Sequence, residues 1–244
     1  MKTETIKDDR VSNNEDRESC QSTINPSEWK GRTTIEIDDA GTGDLVGNAF
    51  IGFRDTSTGR IIFQSVPVDL YKEDEDQKKH ILEPKKHILK VVIKALRILN
   101  HSPKNDRILL CRGNCFDLVR EYFDENEIYY EAAVVEGELQ EAVEGKLIQH
   151  LRKLGVNSKK LTTEAGFQRY FVLFNWVCQD FPNRERYVKT GFPSWPKKWR
   201  MIALERYQKS ELYQTKRREL IKRRANEIYN VMLEEPIPVR NKSK

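Results

Sequence analysis

Residues 33–53, TTIEIDDAGTGDLVGNAFIGF, set two adjacent carboxylates, Asp38 and Asp39, at the end of an alternating run and follow them at once with glycines. Ile35 and Ile37 alternate with Thr34, Glu36 and Asp38, the period of two that marks a strand with one buried face. The glycines at 41, 43 and 47 supply a bend, after which NAFIGF resumes as a second strand. Adjacent ionised carboxylates repel, and removing either from water is costly, so the pair calls for a cation, a proton or open water. Strand side chains point alternately to opposite faces. Both acids therefore reach one ion only if the strand bends at the glycines.

Outward from this stretch, RIIFQSVPVDLY (residues 60–71) reads as a third strand, reached through the turn chemistry of TSTG. EPKKHILKVVIKALRILN follows as a helix with Pro84 in its first turn and Ile88, Val91, Val92, Ala95, Leu96 and Leu99 at helical spacing. DRILLCRG is then a short strand, CFDLVREYFDEN a helix, YYEAAVVEG a strand, and ELQEAVEGKLIQHLRKLG an amphipathic helix stopped by Gly155. The order βββαβαβα predicts an α/β domain with one mixed five-stranded sheet, antiparallel in its meander and parallel at its crossovers. That is the element order of the ribonuclease H-like fold.

Within this frame, IDDAGTGDLVG resembles the first motif of the type 2 ribonucleases H, I-D-E-A-G-R-G-P-L-A-G. Ile37, Asp38, Ala40, Gly41, Gly43, Leu45 and Gly47 match it, and Asp39 stands for the glutamate. LLCRGN looks like the family's strand ending I-D-G-N, with Gly113 and Asn114 matching and Arg112 at the acid's position. VEGE looks like its later K-G-D and places Glu138 at the last metal-binding aspartate. The likeness is patchy and confined to residues 32–155. It implies a metal-dependent endonuclease whose Asp38, Asp39 and Glu138 hold Mg²⁺ or Mn²⁺, with nucleic acid, RNA-containing substrates among them, lying over Gly41, Thr42 and Gly43. Thr42 replaces the family's arginine, and the D-S-K motif is missing.

Plainer readings stand beside these. Glu136, Glu138 and Glu141 surround a helix start, where acids complement the macrodipole without any metal. A guanidinium at 112 could pair with Asp38 and neutralise the acids, which would make the chain a non-catalytic binding module on the same fold. In that case Arg112→Ala would cost roughly 3 to 5 kcal/mol by leaving buried acids unpaired. Asp117 is close enough in sequence to replace the lost acid. Cys111 and Cys115 lack CxxC spacing, and His80 and His87 lie in a lysine-rich surface, so no zinc is assigned.

Composition frames the whole. Residues 1–31 are polar and nearly free of aliphatics, which predicts a disordered tail. Residues 156–244 form a helical extension, aromatic in FQRYFVLFNWVCQDF, whose Phe167, Tyr170, Phe171, Phe174 and Val177 are expected to cap the core. Between 184 and 224 the chain carries fourteen Lys or Arg against four Glu, interleaved with Tyr187, Phe192, Trp195, Trp199, Tyr207 and Tyr213. That mixture suits phosphate contacts and stacking on unpaired bases, with Arg112, Lys197, Lys198, Arg200, Arg217 and Arg218 as the contacts. A chain ending near Phe181 is on this reading expected to stay folded. No apolar run reaches membrane-spanning length, and four cysteines without a disulfide framework fit a reducing, cytoplasmic compartment.

Overall fold

The computed structural model describes residues 33–73, 79–103 and 105–234, with the side chains at 79, 80, 213 and 231–234 excepted. The expected tail at 1–31 lies outside the described residues. Strands β1 (Thr34–Ala40), β2 (Ala49–Asp55) and β3 (Arg60–Val66) form the antiparallel meander, and Pro67 ends the third strand in a 3₁₀ turn. Helix α1 (Lys79–Ile98), β4 (Arg107–Cys111), α2 (Asp117–Glu125), β5 (Tyr130–Ala133) and α3 (Glu138–Lys153) follow. The sheet order is β3-β2-β1-β4-β5, with β4 parallel to both β1 and β5. The fold is thus α/β around a mixed open sheet, with β1 at its centre.

Pro84 sits inside α1 rather than opening it, because the helix begins at Lys79. Its missing N–H would bond the carbonyl of residue 80, so only a bond at the very start of the helix is lost.

Alternation along β1 feeds two separate cores. Ile35 and Ile37 pack with Ile51, Phe53, Ile108 and Leu110 against Ile88, Val92 and Ala95 of α1 and against Phe116, Val119 and Phe123 around α2. Each Val, Leu, Ile or Phe side chain among them contributes about 1.5 to 3 kcal/mol of burial. On the other side α3 presses on β1 and β2 through Val143, Leu147 and Leu151. Contact is so close at Gly52, the register partner of Asp38, that a Cβ there would meet Leu139 Cδ1 at 2.9 Å.

Residues beyond 155 belong to this second core. Leu173, Phe174 and Val177 of α4 (Gly166–Gln179), together with Val188, Trp195 and Ala203, are buried with Ala40, Leu45, Val46 and Phe50. Short α5 (Phe181–Arg184) leads into a strap that crosses the glycine bend. There Val188 bridges Val46, Lys189 N–H donates to the Leu45 carbonyl (2.9 Å), and Gly191 N–H donates to the Tyr71 carbonyl (2.9 Å). A π-helical turn, Trp195–Trp199, then opens into the 35-residue α6 (Arg200–Glu234). Trp195 is therefore core rather than a stacking surface. Conversely Phe167, expected to cap the core, is 72% exposed.

Candidate metal and phosphate site

Asp38 and Asp39 leave β1 where the chain turns at Gly41, whose φ of +81° lies in the left-handed region that glycine enters without strain. Asp38 faces the α3 side and is 94% buried; Asp39 is half-buried. Despite facing opposite ways at the strand, each offers an oxygen that lies, with Cys111 Sγ, in one group whose ligand atoms are all within 4.8 Å of one another. The thiol of Cys111 donates to Asp38. From the other side Cys115 Sγ donates to Asp39 Oδ1 (3.3 Å) and Thr42 Oγ1 donates to Asp39 Oδ2 (2.6 Å).

Burial dominates the electrostatics. It pushes the Asp38 carboxyl above its ordinary range, with the Cys111 thiol and the Asp39 backbone N–H offsetting part and the charges of Asp39 and Glu144 adding to the rise. The Cys111 thiol is pushed up to about 11, by burial first and then by the neighbouring acids. Among the described residues no Lys, Arg or His forms an ion pair with either acid of the pair.

Three sequence expectations change here. Glu138 is not in the group: its carboxylate is taken by Arg54 Nη2 (2.5 Å), which also bridges to Glu36 through Nη1 (3.1 Å). Arg112 does not reach Asp38. In the parallel register Ile37 pairs with Leu110, so Cys111, the last residue of β4, comes alongside Asp38, and Arg112 lies one position past the end of the strand. It is exposed, and its Nε donates to the Ala132 carbonyl (3.3 Å). Asp117, the proposed replacement acid, is held by Lys85 (2.5 Å) and Arg120 (2.6 Å); burial raises its carboxyl, but the two cations outweigh it and hold it low. Arg112→Ala should accordingly change stability by no more than about 0.5 kcal/mol in urea melts. A loss above about 3 kcal/mol would restore the buried pair.

Thr42 and Gly43 do line a cleft, of about 530 Å³, with Tyr71, Pro84, Lys85, Gly113, Asn114, Cys115 and Phe192. The remaining expected contacts scatter. Lys197 and Lys198 are exposed on the π turn, with Lys198 Nζ 5.0 Å above the Trp199 ring. Arg200 pairs with Glu185 (2.6 Å), and Arg217 and Arg218 are exposed on distal α6.

Three buried charged residues, Lys189, Asp44 and Arg169, escaped the sequence reading. Lys189 has no exposed surface; its ammonium donates to the Gly41 carbonyl and lies 4.4 Å from the Tyr71 ring centre. Desolvation lowers it to about 7 against the pull of Asp44 and Asp39. Asp44, on the same bend, pairs with Arg169 of α4 (3.0 Å), which also holds Glu144 of α3 (2.8 Å). Burial raises the Asp44 carboxyl in spite of both cations. Neither Lys189 nor Arg169 carries a local signal, since an isolated Lys in a basic segment and an isolated Arg in an aromatic helix look solvated.

No helix among the described residues is long and apolar enough to cross a membrane. No protein-family model matches the chain, and no curated protein matches it.

Proposed function

We propose that the chain is a metal-dependent nuclease of ribonuclease H-like architecture that hydrolyses phosphodiester bonds in nucleic acid. What carries the reading is the meeting of Asp38, Asp39 and Cys111 at the end of the central strands, beside a cleft. The strand order, with the acids on its middle strand, is compatible with that architecture.

The donor set fits a divalent ion. Two carboxylates and a sulfur converge with no ion-paired cation among the described residues, and Gly113 stands close by: a Cβ there would stand 3.1 Å from Asp39 Oδ1 and 3.9 Å from Cys111 Sγ. Asp38, Asp39 and Cys111 would hold the ion, and when bound it supplies Lewis acidity toward a phosphoryl oxygen and a more acidic water. The chain's own groups do the rest. Thr42 fixes the orientation of Asp39, Lys189 holds the Gly41 carbonyl and with it the bend, and Tyr71 and Phe192 line the cleft. Exposed cations on distal α6 suit the phosphate backbone. The alternative, a non-catalytic nucleic-acid-binding module, drew on Arg112 neutralising the acids and on the missing D-S-K motif; the first ground loses its support because Arg112 Nε donates to the Ala132 carbonyl instead.

Purified protein incubated with labelled single-stranded, duplex and hybrid substrates should cleave at least one of them with Mn²⁺ or Mg²⁺, and none with EDTA. Asp38→Asn should abolish cleavage and the metal-induced rise in melting temperature. Its metal-free melt should be no lower than that of the wild type, because a buried repulsive charge has been removed. An unchanged metal-induced shift would remove Asp38 from the ligand set.

A further inference from the structure

We infer that the cation this site takes is thiophilic, with Cys111 as its third ligand, so that Co²⁺, Zn²⁺ or Cd²⁺ binds in preference to Mg²⁺. The inference rests on the metal role proposed for Asp38 and Asp39 and adds to it the class of ion.

Oxygen ligands are scarce at this point. Glu138 is engaged by Arg54 and Asp117 by Lys85 and Arg120, so the third donor that β4 delivers beside Asp38 is sulfur. Mg²⁺ demands near-octahedral oxygen ligation and gives up its waters reluctantly, whereas thiolate selects softer ions. Independently, Asp38 is more than nine-tenths buried and aimed at the group, with only the Cys111 thiol and the Asp39 backbone N–H to satisfy it. A carboxylate so placed normally has a cationic partner, and the described residues supply none. Cys115 lies outside the group and donates its thiol hydrogen to Asp39 Oδ1 (3.3 Å), which holds that carboxylate in place. Gly113, between the two cysteines, adds no side chain of its own here; a Cβ would stand 3.1 Å from Asp39 Oδ1, 3.4 Å from Cys115 Sγ and 3.9 Å from Cys111 Sγ.

Cobalt titration of the full chain reads the sulfur directly, since Co²⁺ bound to thiolate gives an intense near-ultraviolet charge-transfer band that oxygen ligation lacks. The wild type should develop the band with one equivalent of Co²⁺. Cys111→Ser, which exchanges a soft donor for a hard one of similar size, should lose it and bind Cd²⁺ at least about tenfold more weakly. X-ray absorption of the zinc-loaded wild type, which needs no variant to fold, should show a sulfur shell near 2.3 Å. A wild-type spectrum without the band, a band that survives in Cys111→Ser, or an oxygen-only zinc shell would overturn the inference. The two readings fail separately. Mn²⁺-dependent cleavage by a protein with no sulfur ligation would leave the nuclease and remove the thiophilic site. A Cys111-dependent band with no cleavage under any ion would do the reverse.

Discussion

A chain cut after Phe181 should fail to fold cooperatively, while one cut after Ser210 should melt like the full-length protein. The first cut removes Val188, Lys189, Trp195 and Ala203, all wholly buried, and the hydrogen bonds that tie the strap to Leu45, Gly47 and Tyr71. Loss of one buried Trp side chain costs about 3 to 5 kcal/mol, and a whole domain holds only about 5 to 15. Composition alone predicts that such a chain stays folded; the structure implies otherwise, because the cut takes Val188, Trp195 and Ala203 out of the second core. Ending the chain at 210 instead removes residues whose described side chains up to 230 are all exposed. That shorter chain also loses Lys216, Arg217, Arg218, Lys222, Arg223 and Arg224. It should bind nucleic acid more weakly and with a shallower dependence on salt. Circular-dichroism melts and binding isotherms at two salt concentrations check both halves. A cooperative melt from the 181 product would refute the integral strap.

Lys189→Met should flatten the stability profile of the protein between pH 7 and 10. The buried ammonium titrates near 7, below its ordinary 10.5, because burial outweighs the attraction of Asp44 and Asp39. Between those two values the unfolded chain holds a proton that the folded chain lacks, so folding stability rises with pH across the window. Below about 7 both states are protonated, and the full penalty of burying the charge is felt. The wild type should therefore gain on the order of 3 kcal/mol relative to the variant on going from pH 7 to pH 10. The Gly41 carbonyl keeps a second donor, the Asp44 backbone N–H (3.2 Å), so the variant does not strand it. Urea melts of both proteins at three pH values read the difference, and parallel profiles would show that Lys189 is charged throughout.

The strands and helices of the sheet were legible because each repeats a local period. Ile35 and Ile37 declare β1, and Leu139, Val143, Leu147 and Leu151 declare the buried face of α3. The acid pair was legible for the same reason, standing where an alternating run meets glycines. What stayed hidden depends on register. Arg112 and Cys111 differ by one position, and a motif anchored on Gly113 cannot say which of them a parallel pairing brings beside Asp38; the offset between β1 and β4 decides it. Glu138 was misread because its competitor, Arg54, lies 84 residues away on another strand. The extension was misread because charge dominates its composition, while a few apolar positions, Val188, Trp195 and Ala203, decide its packing.

The link between Lys189 and Gly41 spans 148 positions of the chain, and a ribosome adding about 5 to 20 residues per second takes on the order of ten seconds to cover that distance. Throughout that interval the nascent chain carries its paired acids and its glycine bend with no strap to close over them. Translation that stops short therefore yields a protein that displays Asp38 and Asp39 but has no finished cleft. The order of synthesis leaves the glycine bend without this tie until Lys189 has emerged.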